Sequence, residues 1–163
     1  MFDVFFHKQF LEGSTVNGVH ADAKALTDAE VEHLLNFFNR IIEGKTLKGR
    51  NKESYTDQTG KLIFRALNYK KYNAWHYHSG PYDKQPKVWT LPSLPTNLDG
   101  SHSAPVVHYI KAKGKVIIIG YSRDHIPFPD GDSRSNKLRT RLFNWASNLA
   151  NLTSPATDKE AHA

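Results

Sequence analysis

Pro105-Val106-Val107-His108-Tyr109-Ile110-Lys111 is followed, across Ala112-Lys113-Gly114, by Lys115-Val116-Ile117-Ile118-Ile119-Gly120-Tyr121-Ser122. Both runs are β-branched and aromatic, and a short connection ending in glycine separates them. The pattern predicts a tight antiparallel hairpin. Ile117-Ile118-Ile119 is apolar at successive positions, so it suits a central strand covered on both faces. The hairpin therefore calls for a sheet with further structure packed against each side.

Phe2-Asp3-Val4-Phe5-Phe6 reads as a short strand. Thr27-Asp28-Ala29-Glu30 is a capping box, in which the threonine hydroxyl and the glutamate side chain each take a free amide of the first turn. Val31, Leu34, Leu35, Phe38 and Ile42 then recur at helical spacing, and Gly44 is a natural stop. Residues 45–60 are polar and basic and read as a loop or a frayed turn. Residues 61–69 and Ala74 to His78 read as two more strands. Residues 79–104 contain Pro81, Pro86, Pro92 and Pro95 and read as a long loop insertion, a length that is uncommon unless the loop is functional or disordered. Its Tyr82 and Trp89 imply that part of it is packed.

After Pro127 and Pro129, the turn Asp130-Gly131-Asp132 leads into a second helix, capped by Ser133 or Ser135. Leu138, Leu142, Trp145, Leu149 and Leu152 form a narrow apolar seam along it. Arg134, Lys137, Arg139 and Arg141 crowd its first turns, as a solvated face or a binding surface. The expected architecture is a single α+β domain over residues 1–153. It has a mainly antiparallel sheet of four or five strands with helices packed on it, and residues 154–163 form a disordered polar tail.

The formal net charge is +6 and the isoelectric point about 9.5, which favours a polyanionic partner such as nucleic acid. The chain has no cysteine, which excludes disulfides, thiolate nucleophiles and sulfur-ligated zinc. No glutamate occurs between Glu53 and Glu160, so a site in that region draws its carboxylates from aspartates. No apolar run approaches the roughly 20 residues that span a bilayer. The N-terminus lacks the pattern of a secretory signal, so the expected location is cytoplasmic, with no membrane partner.

Histidine recurs on the strands: Trp75-His76-Tyr77-His78, His108 in the hairpin, and Tyr121-Ser122-Arg123-Asp124-His125 after it. Strand alternation puts His76 and His78 on one face, about 7 Å apart, with Trp75 and Tyr77 facing the core. Imidazole has an ordinary pKa of roughly 6.5 and suits proton transfer, and arginine is a planar cation that matches phosphate. Metal-independent RNA cleavage needs a base for the 2′-hydroxyl, cations for the phosphorane and an acid for the leaving 5′-oxygen. The candidate catalytic residues are His76, His78, Arg123 and His125, with His125 as acid or base and Arg123 as phosphate clamp. Arg65, Lys48 and Arg50 are candidate substrate contacts, and Tyr121 and Phe128 could stack on bases. Arg65 reads equally as an ion-pair partner of an aspartate. His108 reads as a hydrogen-bonded core residue.

The order strand, helix, run of strands, C-terminal helix, with the last core strand ending in a basic residue and a histidine, resembles the RelE/ParE superfamily of small bacterial toxins. The matching pieces are Trp75-His76-Tyr77-His78, the His108-Tyr109 strand, and Val116 to Gly120 followed by Ser122-Arg123-Asp124-His125-Ile126-Pro127-Phe128. They look most like the YafO-type branch, and the similarity covers roughly residues 73–142. The resemblance implies a RelE-like fold, an endoribonuclease acting on messenger RNA at the ribosome, and a cognate antitoxin protein as partner. It implies no cofactor. The chain departs from the pattern by its extra residues 11–25, its 79–104 loop and its C-terminal extension.

Two other readings fit the same residues. One is a non-enzymatic basic module that poisons gyrase or binds RNA or the ribosome through residues 45–52 and the arginine-rich helix. The other is a metal enzyme of cupin type, with His76, His78 and a third histidine as ligands. The chain lacks the glutamate after the pair and the glycine-rich repeating strands which that reading requires.

Overall fold

A computed structural model describes residues 2–151. It is a single-domain α+β fold built on one open sheet of six strands, in the order β2-β3-β4-β5-β1-β6. The strands are β1 (Asp3–His7), β2 (Asn51–Glu53), β3 (Ala74–His78), β4 (Val106–Ala112), β5 (Lys115–Ser122) and β6 (Leu149–Ala150). All neighbours are antiparallel except β1 and β5, which run parallel. The sheet has one strand more than the upper end of the expected four or five, and its edge strand β6 is only two residues long. The helices are α1 (Lys8–Glu12), α2 (Asp28–Ile42), α3 (Leu67–Lys71) and α4 (Lys137–Phe143). Among the described residues no helix is long and apolar enough to cross a membrane.

The hairpin forms as its sequence dictates, with Gly114 at φ +72° closing the turn between β4 and β5. As expected of a central strand, β5 is covered on both sides. Its Val116, Ile118 and Tyr121 join Phe6, Trp75, Tyr77, Val107 and Tyr109 against Leu34, Phe37, Phe38 and Ile41 of α2. On the opposite face Ile117 and Ile119 join Ala74 and Ile110 against Tyr69, Leu138 and Leu142. A β-bulge between His108 and Tyr109 shifts the register on β5, so that His108 faces Gly120 and Tyr109 faces Ile118. A side chain on Gly120 would collide with Leu138, 2.5 Å from the position its Cβ would take. The glycine thus lets α4 lie directly on the sheet.

Helix α2 carries the full capping box of Thr27 and Glu30. Its buried stripe is Leu34, Phe37, Phe38 and Ile41, whereas Ile42 of the expected stripe is exposed. Residues 61–69 do not form the expected strand. They form a loop that runs into α3, and Phe64 is 89% exposed. Residues 45–60 are not simply a loop, because β2 pairs with β3. Gly49 leads into it, and a Cβ there would run into the His78 carbonyl, so only glycine permits this approach. Residues 79–104 pack along the same edge. Isolated bridges pair Leu47 with Thr90, Gly49 with Ser101 and Asn51 with Asn97. The anchor of that segment is fully buried Leu94, and Trp89 stays 45% exposed.

The cap of α4 is Asn136, whose side chain accepts from the Leu138 amide, instead of Ser133 or Ser135. The helix ends at Phe143, a 3₁₀ turn follows (Trp145–Ser147), and Leu149 pairs with His7 of β1. The expected long seam therefore divides between a short helix and an edge strand. Arg141 is not on a basic outer face. It is 3% exposed and ion-paired to Asp22 at 2.7 Å. The last seam residue, Leu152, and the polar tail lie outside the described residues.

Candidate active site

The second face of the sheet is apolar at one end and polar at the other. Alternation along β3 puts Ala74, His76 and His78 on this face, and Trp75 and Tyr77 in the α2 core, as the sequence predicts. His76 stands opposite His108 on β4, and His108 meets the Ser122 hydroxyl at 2.7 Å. β3 is flanked on its other side by β2, where Lys52 stands opposite His76. The chain leaving β5 turns back over this end of the sheet and delivers His125. Its ring centroid is 5.3 Å from that of His76 and 4.9 Å from that of His78. His102, from the long loop, adds a fourth imidazole 4.7 Å from His78.

His76, His78 and His125 open into a cleft of about 420 Å³ whose lining also includes Arg50, Lys52 and Phe128, whereas His102 lines a neighbouring pocket with Asp83, Lys84 and Asp99. Phe128 packs on His76 with ring centroids 4.7 Å apart and holds the returning loop on the imidazoles. Exposed Phe64 and Arg65 stand on the rim. The Nε of Arg50 is buried and has no hydrogen-bond partner among the described residues. Lys52 donates to the Glu53 carbonyl and the Thr56 hydroxyl at the cleft wall.

Burial, followed by the charges of His78, His108, His125 and Lys52, holds the His76 pKa well below 6.5. Burial lowers His78 to about 3, with His125, His102 and Arg50 adding to the effect. Burial likewise lowers His108 to about 3. His125 is lowered by burial and then by His102, Arg50 and Lys52. The strand histidines are therefore neutral imidazoles. The His78 Nδ1 lies 2.7 Å from the Ser103 carbonyl, which can only accept, so Nδ1 carries the proton and Nε2 presents a lone pair. The Ser103 amide lies 3.4 Å from the same nitrogen, too long to compete. His76 Nδ1 is 3.0 Å from the Ser54 hydroxyl. One ligand atom from each of His76, His78 and His125 lies within 4.8 Å of the others, so these three could also hold a metal ion.

The structure brings together His76, His78, His125, Phe128 and Arg50 of the expected site, with Arg65 at its edge. Arg65 is engaged by Asp130 at 2.7 Å, the ion pair considered for it as an alternative. Three expected members fall elsewhere. Tyr121 is fully buried in the α2 core and cannot stack on a base. Lys48 sits over the Tyr82 ring, 5.6 Å from its centroid, and is not among the residues lining the cleft. Arg123 follows Tyr121 onto the α2 side. There its guanidinium grips Glu30 through two bonds of 2.8 and 2.9 Å and donates to the Ala25 carbonyl. Arg123 is a clip between β5 and the capping box, not a phosphate clamp.

This clip has a measurable pH signature. Hydrogen bonding from Arg123 holds the Glu30 carboxyl below its ordinary value of 4.5, against the opposing effect of burial. A depressed carboxyl pKa adds stability above the unfolded value and loses it as pH falls through the folded value. Arg123→Ala is expected to cost about 1 kcal/mol at pH 7, since the pair is partly exposed. Denaturant titrations of both proteins should show that difference shrinking as the pH falls below the ordinary carboxyl value of 4.5. A constant difference would separate the clip from the Glu30 charge.

Phe64 lines the cleft and His102 stands beside its imidazoles without having been singled out from the sequence, and Lys52 entered the sequence reading only as the end of the basic cluster of residues 45–52. Lys52 lies on β2 and Arg50 immediately before it, a spacing legible only once β2 is known to be a strand. His102 in Ser101-His102-Ser103 has no distinguishing neighbours. Comparison of the chain with protein-family models, with curated proteins and with solved structures found no match.

Proposed function

We propose that the cleft binds RNA and cleaves its phosphodiester backbone without a metal, as a messenger-RNA endonuclease of the RelE/ParE toxin type. The observation that carries this reading is the convergence of His125 and His102 with the cations Arg50 and Lys52 at one end of a rigid sheet. Neutral His125 takes the 2′-hydroxyl proton as the 2′-oxygen bonds to phosphorus. The bond from phosphorus to the 5′-oxygen breaks, and exposed His102, its ring 6.2 Å from that of His125, supplies the proton to that oxygen. Arg50 and Lys52, both lining the cleft, hold the non-bridging oxygens and the charge that develops there. His76 and His78 remain neutral, keep the rings in place and offer acceptor nitrogens. Phe64 and Phe128 flank the cleft as stacking surfaces for bases.

The resemblance and the basic charge support messenger RNA, the ribosome and a cognate antitoxin as partners in the cytoplasm. The test is primer extension on a message translated in a purified cell-free system. Wild type is expected to create discrete new ends. Arg50→Ala should reduce them by about 10²-fold, the usual cost of losing one donor to a developing anion. Arg123→Ala should cut as wild type does. An uncut message would sink the ribonuclease reading, and loss of cutting in Arg123→Ala would return the clamp to that residue.

A further inference from the structure

We propose that His76, His78 and His125 form a nitrogen-only site for one divalent transition-metal ion of the zinc, nickel or copper class, and that its capture removes His125 from the proposed reaction. The second half rests on the ribonuclease reading; the site itself does not.

Three features of the cluster carry the inference. The ligand atoms already lie within 4.8 Å of one another. Closing to the roughly 3.4 Å nitrogen spacing of a tetrahedral zinc site needs about 1 Å of ring movement. Two of the three ligands stand two residues apart on one strand whose five residues are all buried, so their spacing is set by the backbone. The third arrives on a loop and can adjust.

The second feature is the outer contacts. A metal-bound imidazole usually donates its other N–H to a carbonyl, carboxylate or water, which fixes the tautomer. His78 makes that contact to the Ser103 carbonyl at 2.7 Å. His76 places Nδ1 against the Ser54 hydroxyl at 3.0 Å. In both residues Nε2 is left free of any hydrogen bond within the described residues.

The third is the donor chemistry. No carboxylate or thiolate belongs to the trio, so magnesium and calcium, which require oxygen, are disfavoured against imidazole-seeking metals. Arg50 and Lys52 share the cleft and repel an added cation. The site therefore selects ions that gain most from nitrogen ligation, and an ion bound there would draw an anion into its open position. Once coordinated, the His125 nitrogen has no lone pair to accept a 2′-hydroxyl proton.

The experiment titrates the metal-free full-length protein with Co²⁺ and Zn²⁺, following the cobalt ligand-field spectrum and binding calorimetry. RNA cleavage is measured in parallel, with chelator added back at the end. One ion per chain, at least about tenfold weaker binding in His125→Ala, and cleavage that falls with occupancy and returns with chelator would uphold the proposal. Tenfold is the lower end of what loss of even an outer contact costs a metal site. Absence of stoichiometric binding, or binding indifferent to His125→Ala, would overturn the site and leave the ribonuclease reading standing. Cleavage that rises with metal would overturn the inhibitory half together with metal-free chemistry. Binding with no cleavage under any condition would uphold the site and end the ribonuclease reading. Because the direct readout is wild-type binding, a folding defect in a variant does not blunt it.

Discussion

His125→Ala is expected to lower RNA cleavage by about 10² to 10⁴-fold, the range set by general acid–base assistance, while the protein stays folded. His125 sits on the half-exposed loop after β5, outside the strand ladder, and touches the rest of the molecule through ring contacts with His76, His78, His102 and Phe128. Truncation therefore removes no backbone pairing and no core packing. The change in unfolding free energy should stay within about 1 kcal/mol. Single-turnover cleavage rates beside a thermal melt make the comparison, and free imidazole added to the variant should restore part of the rate. A variant that cuts as fast as wild type would remove the proton-transfer role from this residue. A loss of cutting that tracks a loss of folding would assign it a structural one.

The largest expected effect on stability lies far from the cleft, at Arg141. Its side chain is 3% exposed and that of Asp22 is 2% exposed. One guanidinium nitrogen reaches Asp22 at 2.7 Å and the other donates to the Ile119 carbonyl at 2.8 Å. The pair ties α4 to β5 and to the segment that follows α1. Breaking a buried pair by removing one partner strands the other charge away from water, at a cost of about 3–5 kcal/mol. Asp22→Ala should therefore lower the melting temperature by about 6–20 °C for a domain of this size. Replacing both groups, as Asp22→Ala with Arg141→Met, should recover much of the loss, because no buried charge is then left uncompensated. A small cost in Asp22→Ala beside a larger one in the double variant would show that the carbonyl contact, and not the ion pair, is what α4 depends on.

Arg123, expected as a phosphate clamp, and Arg141, read as part of a solvated face or a binding surface, are both structural, and for related reasons. A cation in a sequence carries no mark of its partner. Glu30 lies 93 residues from Arg123 and Asp22 lies 119 from Arg141. Arg123 and His125 share strand spacing, so alternation alone would put them on one side. The strand ends at Ser122, and the turn that follows carries His125 over to the opposite face. That turn is held by Phe128 against His76, a contact between residues 52 positions apart. The helical seam misled for a different reason. Leu138 and Leu142 do face the sheet, but Leu149 belongs to an edge strand, and apolar spacing cannot tell a continuing helix from a break at residues 144–148.

Local physics was sufficient wherever the partner was near in sequence. The β4–β5 hairpin, the central position of β5, the capping box at Thr27 and the outward pairing of His76 with His78 follow from alternation, turn chemistry and short-range hydrogen bonding. The α+β class follows from them in turn. Tertiary structure alone decided where charge and loops went: Arg50 and Lys52 beside the imidazoles, His102 brought in by the long loop, Arg123 onto Glu30, Arg141 onto Asp22. Those placements depend on which surfaces the sheet buries, and burial is a property of the assembled layers that no window of a few residues contains.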